Sequence, residues 1–202
     1  MMLELRTRPD FEAALNELPE DTLVSLAMTD LDHFAEINDT YGRNTGDAVL
    51  RHLEGVLQGS LPADALLARL GGDEYAVALP GLPAENALIV LEEVRTHFSS
   101  RTPNPRIPRK VHLSVGIASR PPHAKTVPDL LRAADEALYR AKTEGRGRVA
   151  IYVESKMTLK SNYYSKASLE RLSKLSDALN RTEASLLREA LDDLVVKRGE
   201  VL

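Results

Sequence analysis

Apolar runs and amphipathic stripes alternate through most of this chain. Residues 23–28 (LVSLAM) form a short apolar run whose length suits a buried strand. The run ends in Thr29-Asp30-Leu31-Asp32, which puts two carboxylates at the strand's C-terminal end. Open α/β sheets keep their sites there. A helix follows, then a turn at Tyr41-Gly42. A second helix near 45–58 carries the stripe Val49, Leu50, Leu53, Val56 and Leu57. Residues 66–70 and 74–79 predict two strands around Gly71-Gly72-Asp73, since a Gly-Gly step between apolar runs signals a tight hairpin. Residues 80–83 close the second strand, and 84–98 predict an amphipathic helix. The stretch 99–109 carries three prolines and predicts a loop. A strand within 110–119, a helix over 128–142 and a strand over 149–153 complete the pattern.

The order is strand, helices, hairpin, helix, strand, helix, strand. A mixed order with an antiparallel hairpin predicts an α/β fold of ferredoxin-like or polymerase-palm type, a mixed sheet flanked by helices, rather than a Rossmann sheet. The pattern shifts near Glu154, giving a boundary between residues 1–153 and 154–202. Residues 157–164 (MTLKSNYY) read as short and extended. Helical spacing follows at Leu169, Leu172, Leu175 and Leu179, a break at Asn180-Arg181-Thr182, and a second stripe from Leu186 to Val195. Thr182 suits an N-cap. A strand and two helices in so short a tail cannot bury a core alone, so the tail is expected to dimerise.

Composition narrows the chemistry. The 202 residues carry 26 Lys+Arg against 30 Asp+Glu, a formal charge of −4, which excludes a bulk polyanion binder. From Glu154 onward there are nine basic and eight acidic residues, so the tail is +1 and the remainder −5. There is no cysteine, which removes disulfides, thiolate metal sites and cysteine nucleophiles together. The N-terminus has no apolar signal-peptide core, and no run approaches the ~18 apolar residues of a membrane span. A cytoplasmic protein that makes no membrane contact is the expectation.

The remaining candidates are acidic and basic clusters. Asp73 and Glu74 stand on the hairpin tip, and Asp30 and Asp32 at the end of a separate strand. Neighbouring strands would make these carboxylates converge. Mg²⁺ binds in such places, through one or two carboxylates plus substrate phosphates. Acidic hairpin tips also occur simply because they are solvated. Residues 141–148 (AKTEGRGR) place Lys142, Arg146 and Arg148 around a helix end. Those cations suit phosphates, and they equally suit the dipole and glycine cap of a helix C-terminus.

Taken together, four ordered segments reach a family. Thr29-Asp-Leu-Asp-His-Phe-Ala-Glu-Ile-Asn-Asp-Thr-Tyr-Gly-Arg-Asn-Thr-Gly-Asp47, Arg69-Leu-Gly-Gly-Asp-Glu-Tyr75, Ser114-Val-Gly-Ile-Ala118 and the stretch from Ala134 to Arg146 resemble the GGDEF family, the diguanylate cyclases, over about 23–153. The resemblance implies a palm-like domain that condenses two GTP into cyclic di-GMP, with two domains facing each other. By position, Asp30 and Glu74 would hold Mg²⁺ or Mn²⁺ with help from the Leu31 carbonyl. Asp73 would join the metal site or help deprotonate the attacking 3′-hydroxyl. Asn38 and Asp47 would read the guanine edge, and Lys142 and Arg146 would hold the triphosphate. These positions all keep a usable residue type, which favours a competent site.

The chain also departs from the family pattern. Tyr75 replaces the motif's Phe at a position expected to pack, and Ala35 stands where the family usually has Lys. The family's inhibitory Arg-x-x-Asp would fall on Pro62-Ala-Asp-Ala65, which has lost both charges. The turn that usually opens the domain is reduced to residues 5–10. No room remains ahead of it for a sensor or coiled coil, so the tail is the expected pairing device.

That tail resembles the ribbon-helix-helix DNA-binding family, a dimer whose paired strands enter the major groove. The resemblance implies double-stranded DNA as a partner. Lys160, Ser161, Asn162 and Tyr163 would face the groove, and Arg181 and Thr182 would lie where a helix N-terminus meets a phosphate. A tail that only dimerises is the alternative. Three functions are thereby in play: a diguanylate cyclase paired and targeted to DNA by its tail, a non-catalytic transcription factor sensing GTP or cyclic di-GMP, and a palm domain making another cyclic nucleotide. Asn38 and Asp47 argue against the third.

Overall fold

The computed structural model describes residues 3–100, 110–153 and 164–179, with the single positions 183, 186, 187, 190 and 197. The chain divides into two units, Met1–Glu154 and Ser155–Leu202. In the first unit the elements run β1 (Leu5–Arg6), α1 (Arg8–Glu17), β2 (Val24–Leu31), α2 (Phe34–Tyr41), α3 (Arg43–Ser60), β3 (Leu66–Gly71), β4 (Glu74–Pro80), α4 (Ala84–Ser100), β5 (Leu113–Arg120), α5 (Val127–Thr143) and β6 (Val149–Ile151).

The strands form one mixed sheet in the order β1-β3-β4-β2-β5-β6. β2 runs antiparallel to both neighbours, β4 and β5, while the edge pairs β1·β3 and β5·β6 are parallel. A central strand covered on both faces has no solvent side, which is why its sequence reads as a continuous apolar run. Val24, Leu26 and Met28 face Phe11 and Leu15 of α1 and Leu130, Ala134 and Leu138 of α5. Ala27 and Leu31 face the opposite layer with Val49, Leu53 and Leu57 of α3 and Leu91 and Phe98 of α4. The buried hydroxyl of Ser25 lies 2.6 Å from the Leu82 carbonyl and 2.7 Å from Ser119 Oγ.

A Cβ on Gly116 of β5 would lie 1.9 Å from the backbone nitrogen of Leu138. The glycine of the Ser114–Ala118 segment is therefore a packing requirement: it lets α5 rest directly on the sheet.

The structure corrects three sequence expectations. Residues 5–10 are not a reduced turn. Leu5 and Arg6 pair with Leu67 and Ala68, and Thr7 caps α1 by accepting the Asp10 N–H. Pro9 stands in that helix's first turn, where its missing N–H costs nothing. β2 continues beyond Met28 through Leu31, so Asp30 lies inside the ladder rather than after it. α4 extends to Ser100, two residues into the expected loop; the positions 101–109 lie outside the described residues.

In the second unit, the expected helical spacing appears as α6 (Lys166–Leu179), with Leu169 and Leu175 exposed. Of the extended segment expected over 157–164, residues 157–163 lie outside the described residues, as does the break at 180–182. So do Lys160, Ser161, Asn162, Tyr163, Arg181 and Thr182. No helix among the described residues is long and apolar enough to cross a membrane.

Candidate functional site

The hairpin between β3 and β4 brings the acids together. Asp30 is the direct partner of Glu74 across β2·β4 and of Ser114 across β2·β5. Directly opposite residues of antiparallel strands share a face, so Asp30 and Glu74 project to the same side of the sheet. Gly72 turns the chain with φ +44°, a region open to glycine at little cost, and Asp73 follows at the tip. Leu31 ends β2 with its side chain buried.

Electrostatics couple the cluster. Burial, and then the neighbouring charge of Asp30, push the Asp73 carboxyl above its usual range, with a smaller push from Glu74. A hydrogen bond from its own backbone and the ammonium of Lys142 pull the other way. Lys142, near the end of α5, places Nζ 2.7 Å from Asp30 Oδ2. Of the residues expected to hold phosphates, Lys142 thus sits on the acids themselves.

No group of three or more His, Cys, Asp or Glu among the described residues is arranged to hold a metal ion by itself. Asp30 and Glu74 nonetheless fit the donor set of Mg²⁺, which takes one or two carboxylates and completes its shell with water and phosphate oxygens.

Asp32 does not join these acids. It is buried, and its Oδ1 accepts from the Ser114 hydroxyl at 2.7 Å while Oδ2 accepts the Gly147 N–H at 2.9 Å. The sequence expectation of convergence therefore holds for Asp30 and fails for Asp32. What Asp32 holds is the turn after α5. There the Arg146 N–H returns to the Ala141 carbonyl at 3.0 Å, the glycine-capped helix end expected from the sequence. Arg146 adopts φ +61°, uncommon for a residue with a side chain, between Gly145 and Gly147.

A cavity of about 410 Å³ opens beside this turn, lined by Asp32, His33, Arg95, His112, Gly145, Arg146 and Gly147. Arg95, His33 and His112 were not sequence candidates. Arg95 lies in α4, His33 just before α2 and His112 just before β5, and no spacing connects them.

Asn38 and Asp47 lie on either side of the α2–α3 junction. Gly42 bends the chain there with φ +82°, and its N–H caps α2 on the Asn38 carbonyl. The half-buried Asn38 amide rests against Gly46, the residue before Asp47: a Cβ on Gly46 would lie 1.9 Å from Asn38 Oδ1. Gly46 escaped the sequence analysis, although its place immediately before Asp47 was a usable signal. On the guanine-reading role that the resemblance implies for Asn38, Gly46→Ala should displace its amide and weaken guanine nucleotide binding about tenfold or more, a loss on the scale of one hydrogen bond to the base. Calorimetric titration checks this; unchanged affinity would remove Asn38 from the base site.

The chain matches the family described as "Diguanylate cyclase, GGDEF domain" over residues 5–148. It is 35% identical over 135 residues to the probable diguanylate cyclase DgcT of Escherichia coli K12, covering 65% of this chain and 30% of that protein. It thus spans about a third of the length of the curated relatives it matches. Among solved structures, it superposes on the GGDEF domain of DgcB from Caulobacter crescentus in complex with c-di-GMP, with a TM-score of 0.66 at 34% identity, over 74% of this chain and 92% of that one. The active GGEEF domain of a diguanylate cyclase from Vibrio cholerae gives a TM-score of 0.68 at 29% identity, over 77% and 100%.

Proposed function

The chain belongs to the GGDEF family of diguanylate cyclase domains, and from that premise we propose that it binds GTP and condenses two GTP into cyclic di-GMP. The observation that carries the reading is the meeting of Asp30, Asp73 and Glu74 at one sheet corner against Lys142, with Asn38 and Asp47 at one helix junction. In the reaction, each 3′-hydroxyl attacks the α-phosphorus of the other nucleotide. Two P–O bonds form, and two pyrophosphates leave.

In this reading Asn38 and Asp47 bind the guanine edge, an amide and a carboxylate against its mixed donors and acceptors. Lys142 and Arg146 hold the triphosphate. Asp30 and Glu74, with the Leu31 carbonyl, would hold Mg²⁺ or Mn²⁺, and Asp73 joins them or takes the proton of the attacking hydroxyl. Such a bound cation would neutralise phosphate charge and acidify that hydroxyl. The Lys142–Asp30 ion pair has to open as the phosphates arrive, since both partners have work to do on the ligand.

Each domain carries one nucleotide, so two copies must meet. We assign that pairing to the tail, where α6 leaves Leu169 and Leu175 exposed. Residues 154–202 as a ribbon-helix-helix module on double-stranded DNA, with Lys160, Ser161, Asn162, Tyr163, Arg181 and Thr182 as contacts, rest on the sequence pattern alone. A transcription factor that senses GTP or cyclic di-GMP without turning it over is the second reading, motivated by the ribbon-helix-helix pattern of the tail.

Product analysis separates the two. Purified protein with GTP and Mg²⁺ should yield cyclic di-GMP and pyrophosphate. Recovery of bound, unreacted GTP would favour the sensor. Selection of DNA sequences with and without nucleotide tests the tail, and no enrichment over random sequence would reject DNA binding.

A further inference from the structure

The tyrosine at the family's phenylalanine position does more than pack. Tyr75 is fully buried, and its hydroxyl donates to Glu54 Oε1 at 2.8 Å. Burial, and then Glu54 itself, push that hydroxyl far above the usual phenol range, so it stays a donor. The same Glu54 oxygen lies 3.5 Å from Arg69 Nη1. Arg69 then reaches into the acidic turn: Nε at 3.0 Å and Nη2 at 2.6 Å both donate to the Gly72 carbonyl. Its guanidinium also lies 5.7 Å from the centre of the Tyr75 ring.

Arg69 and Tyr75 are partners across the hairpin, flanking the turn that carries Asp73 and Glu74. The ladder is irregular between Arg69 and Gly71, so backbone pairing alone holds this turn poorly. Glu54 therefore grips both legs of the hairpin, and through Arg69 it grips the turn's own carbonyl. Glu54 belongs to α3, two helical turns, or about 10 Å along the axis, after Asp47. One rigid helix thus carries a guanine-reading carboxylate near its start and the anchor of the acidic turn further on.

We propose that Glu54 is a positioning residue that, through Tyr75 and Arg69, braces the acidic turn against α3 and so fixes the metal-holding carboxylates relative to the guanine site. The proposal rests on the nucleotide and metal roles assigned above. Glu54 touches neither ligand in that assignment. Its effect passes through the turn, as outer-shell partners act on metal ligands.

Two variants test it, Glu54→Gln and Tyr75→Phe. The first keeps size but loses the charge that holds Arg69. The second removes a single hydroxyl and restores the family's usual residue, which guards against misfolding. In the ligand-free protein, amide exchange across Gly71–Glu74 should quicken about tenfold in Glu54→Gln. Binding of a non-hydrolysable GTP analogue should weaken about tenfold in Mg²⁺ and stay within about twofold in EDTA, the scale of lost outer-shell support. Tyr75→Phe should move both readouts in the same direction by less, and the double variant should fall short of the sum. Unchanged exchange at the turn overturns the proposal, as does a loss of affinity equal with and without Mg²⁺. The exchange measurement needs no nucleotide. Faster exchange in a protein that binds no guanine nucleotide would therefore uphold the brace and sink the functional reading.

Discussion

Asp73→Asn is expected to abolish cyclic di-GMP formation and, at neutral pH, to make the protein slightly more stable. The activity loss should be about 10²–10⁴-fold, the usual contribution of a positioned proton-transfer group. The stability gain follows from the sign of the shift. Burial first, and Asp30 second, raise the folded-state pKa of Asp73 above the ordinary carboxylate range. A carboxyl with a raised folded pKa contributes stability that is fully present below the unfolded value and is lost as pH rises through the folded one. Asparagine carries no charge to penalise, so the variant should melt with the wild type near pH 3 and above it at pH 7. The group is partly solvated and screened, so a rise of about 2 °C is the scale to look for, on the order of half a kcal/mol in a chain of this size. Mg²⁺ supplies a second readout. It should stabilise the wild type, by relieving carboxylate crowding, more than it stabilises the variant. A melting difference that shows no pH dependence, together with retained synthesis, would remove Asp73 from the site. Stability lost to function in this way is common at active sites.

The same corner shows what the sequence could and could not reveal. The hairpin and its acids were legible because Gly71-Gly72 between apolar runs has few alternative readings. The convergence of Asp30 with Glu74 followed once β2 lay beside β4. Asp32 was misread for a chemical reason. Asp32 keeps to the face of Asp30, since it bonds Ser114, the residue opposite Asp30, but its two oxygens are taken by the Ser114 hydroxyl and the Gly147 N–H, partners that no spacing in the sequence announces. α1 was missed because only Phe11 and Leu15 of its ten residues are buried, too sparse a stripe to stand out among charged neighbours. Gly46 and Gly116 carry no side chain, and their importance lies wholly in what approaches them. The Glu54–Tyr75–Arg69 network was equally invisible, since it joins a helix to both legs of a hairpin with no fixed spacing between them.

Asp32→Ala should separate an anchor from a metal ligand. As an anchor, Asp32 is a buried carboxylate accepting one hydroxyl and one backbone N–H, with the Gly147 N–H also 3.2 Å from Ser114 Oγ. Hydrogen bonds to a charged group contribute roughly 1.5–3 kcal/mol each, and the orphaned donors add a desolvation penalty. The loss should therefore total at least about 3 kcal/mol, or roughly 6–12 °C or more in melting temperature. Asp32→Asn should recover part of it, because an amide offers one acceptor oxygen but turns an NH₂ towards the other donor. The functional consequence runs through Arg146, whose left-handed backbone follows from the turn that Asp32 closes. On the proposal that Arg146 holds the triphosphate, a guanidinium freed from that turn no longer starts from a fixed backbone position. GTP affinity should fall at least tenfold while GMP, which lacks the distal phosphates, binds as before. A metal ligand would behave differently: the variant would keep its melting temperature and shift the Mg²⁺ concentration needed for binding. Calorimetric titrations of both nucleotides, at several Mg²⁺ concentrations and beside a thermal melt, decide between the two. An equal loss for GTP and GMP would show that the variant disturbs the base site or the fold at large, and would end the case for Asp32 as the anchor of the phosphate-holding turn.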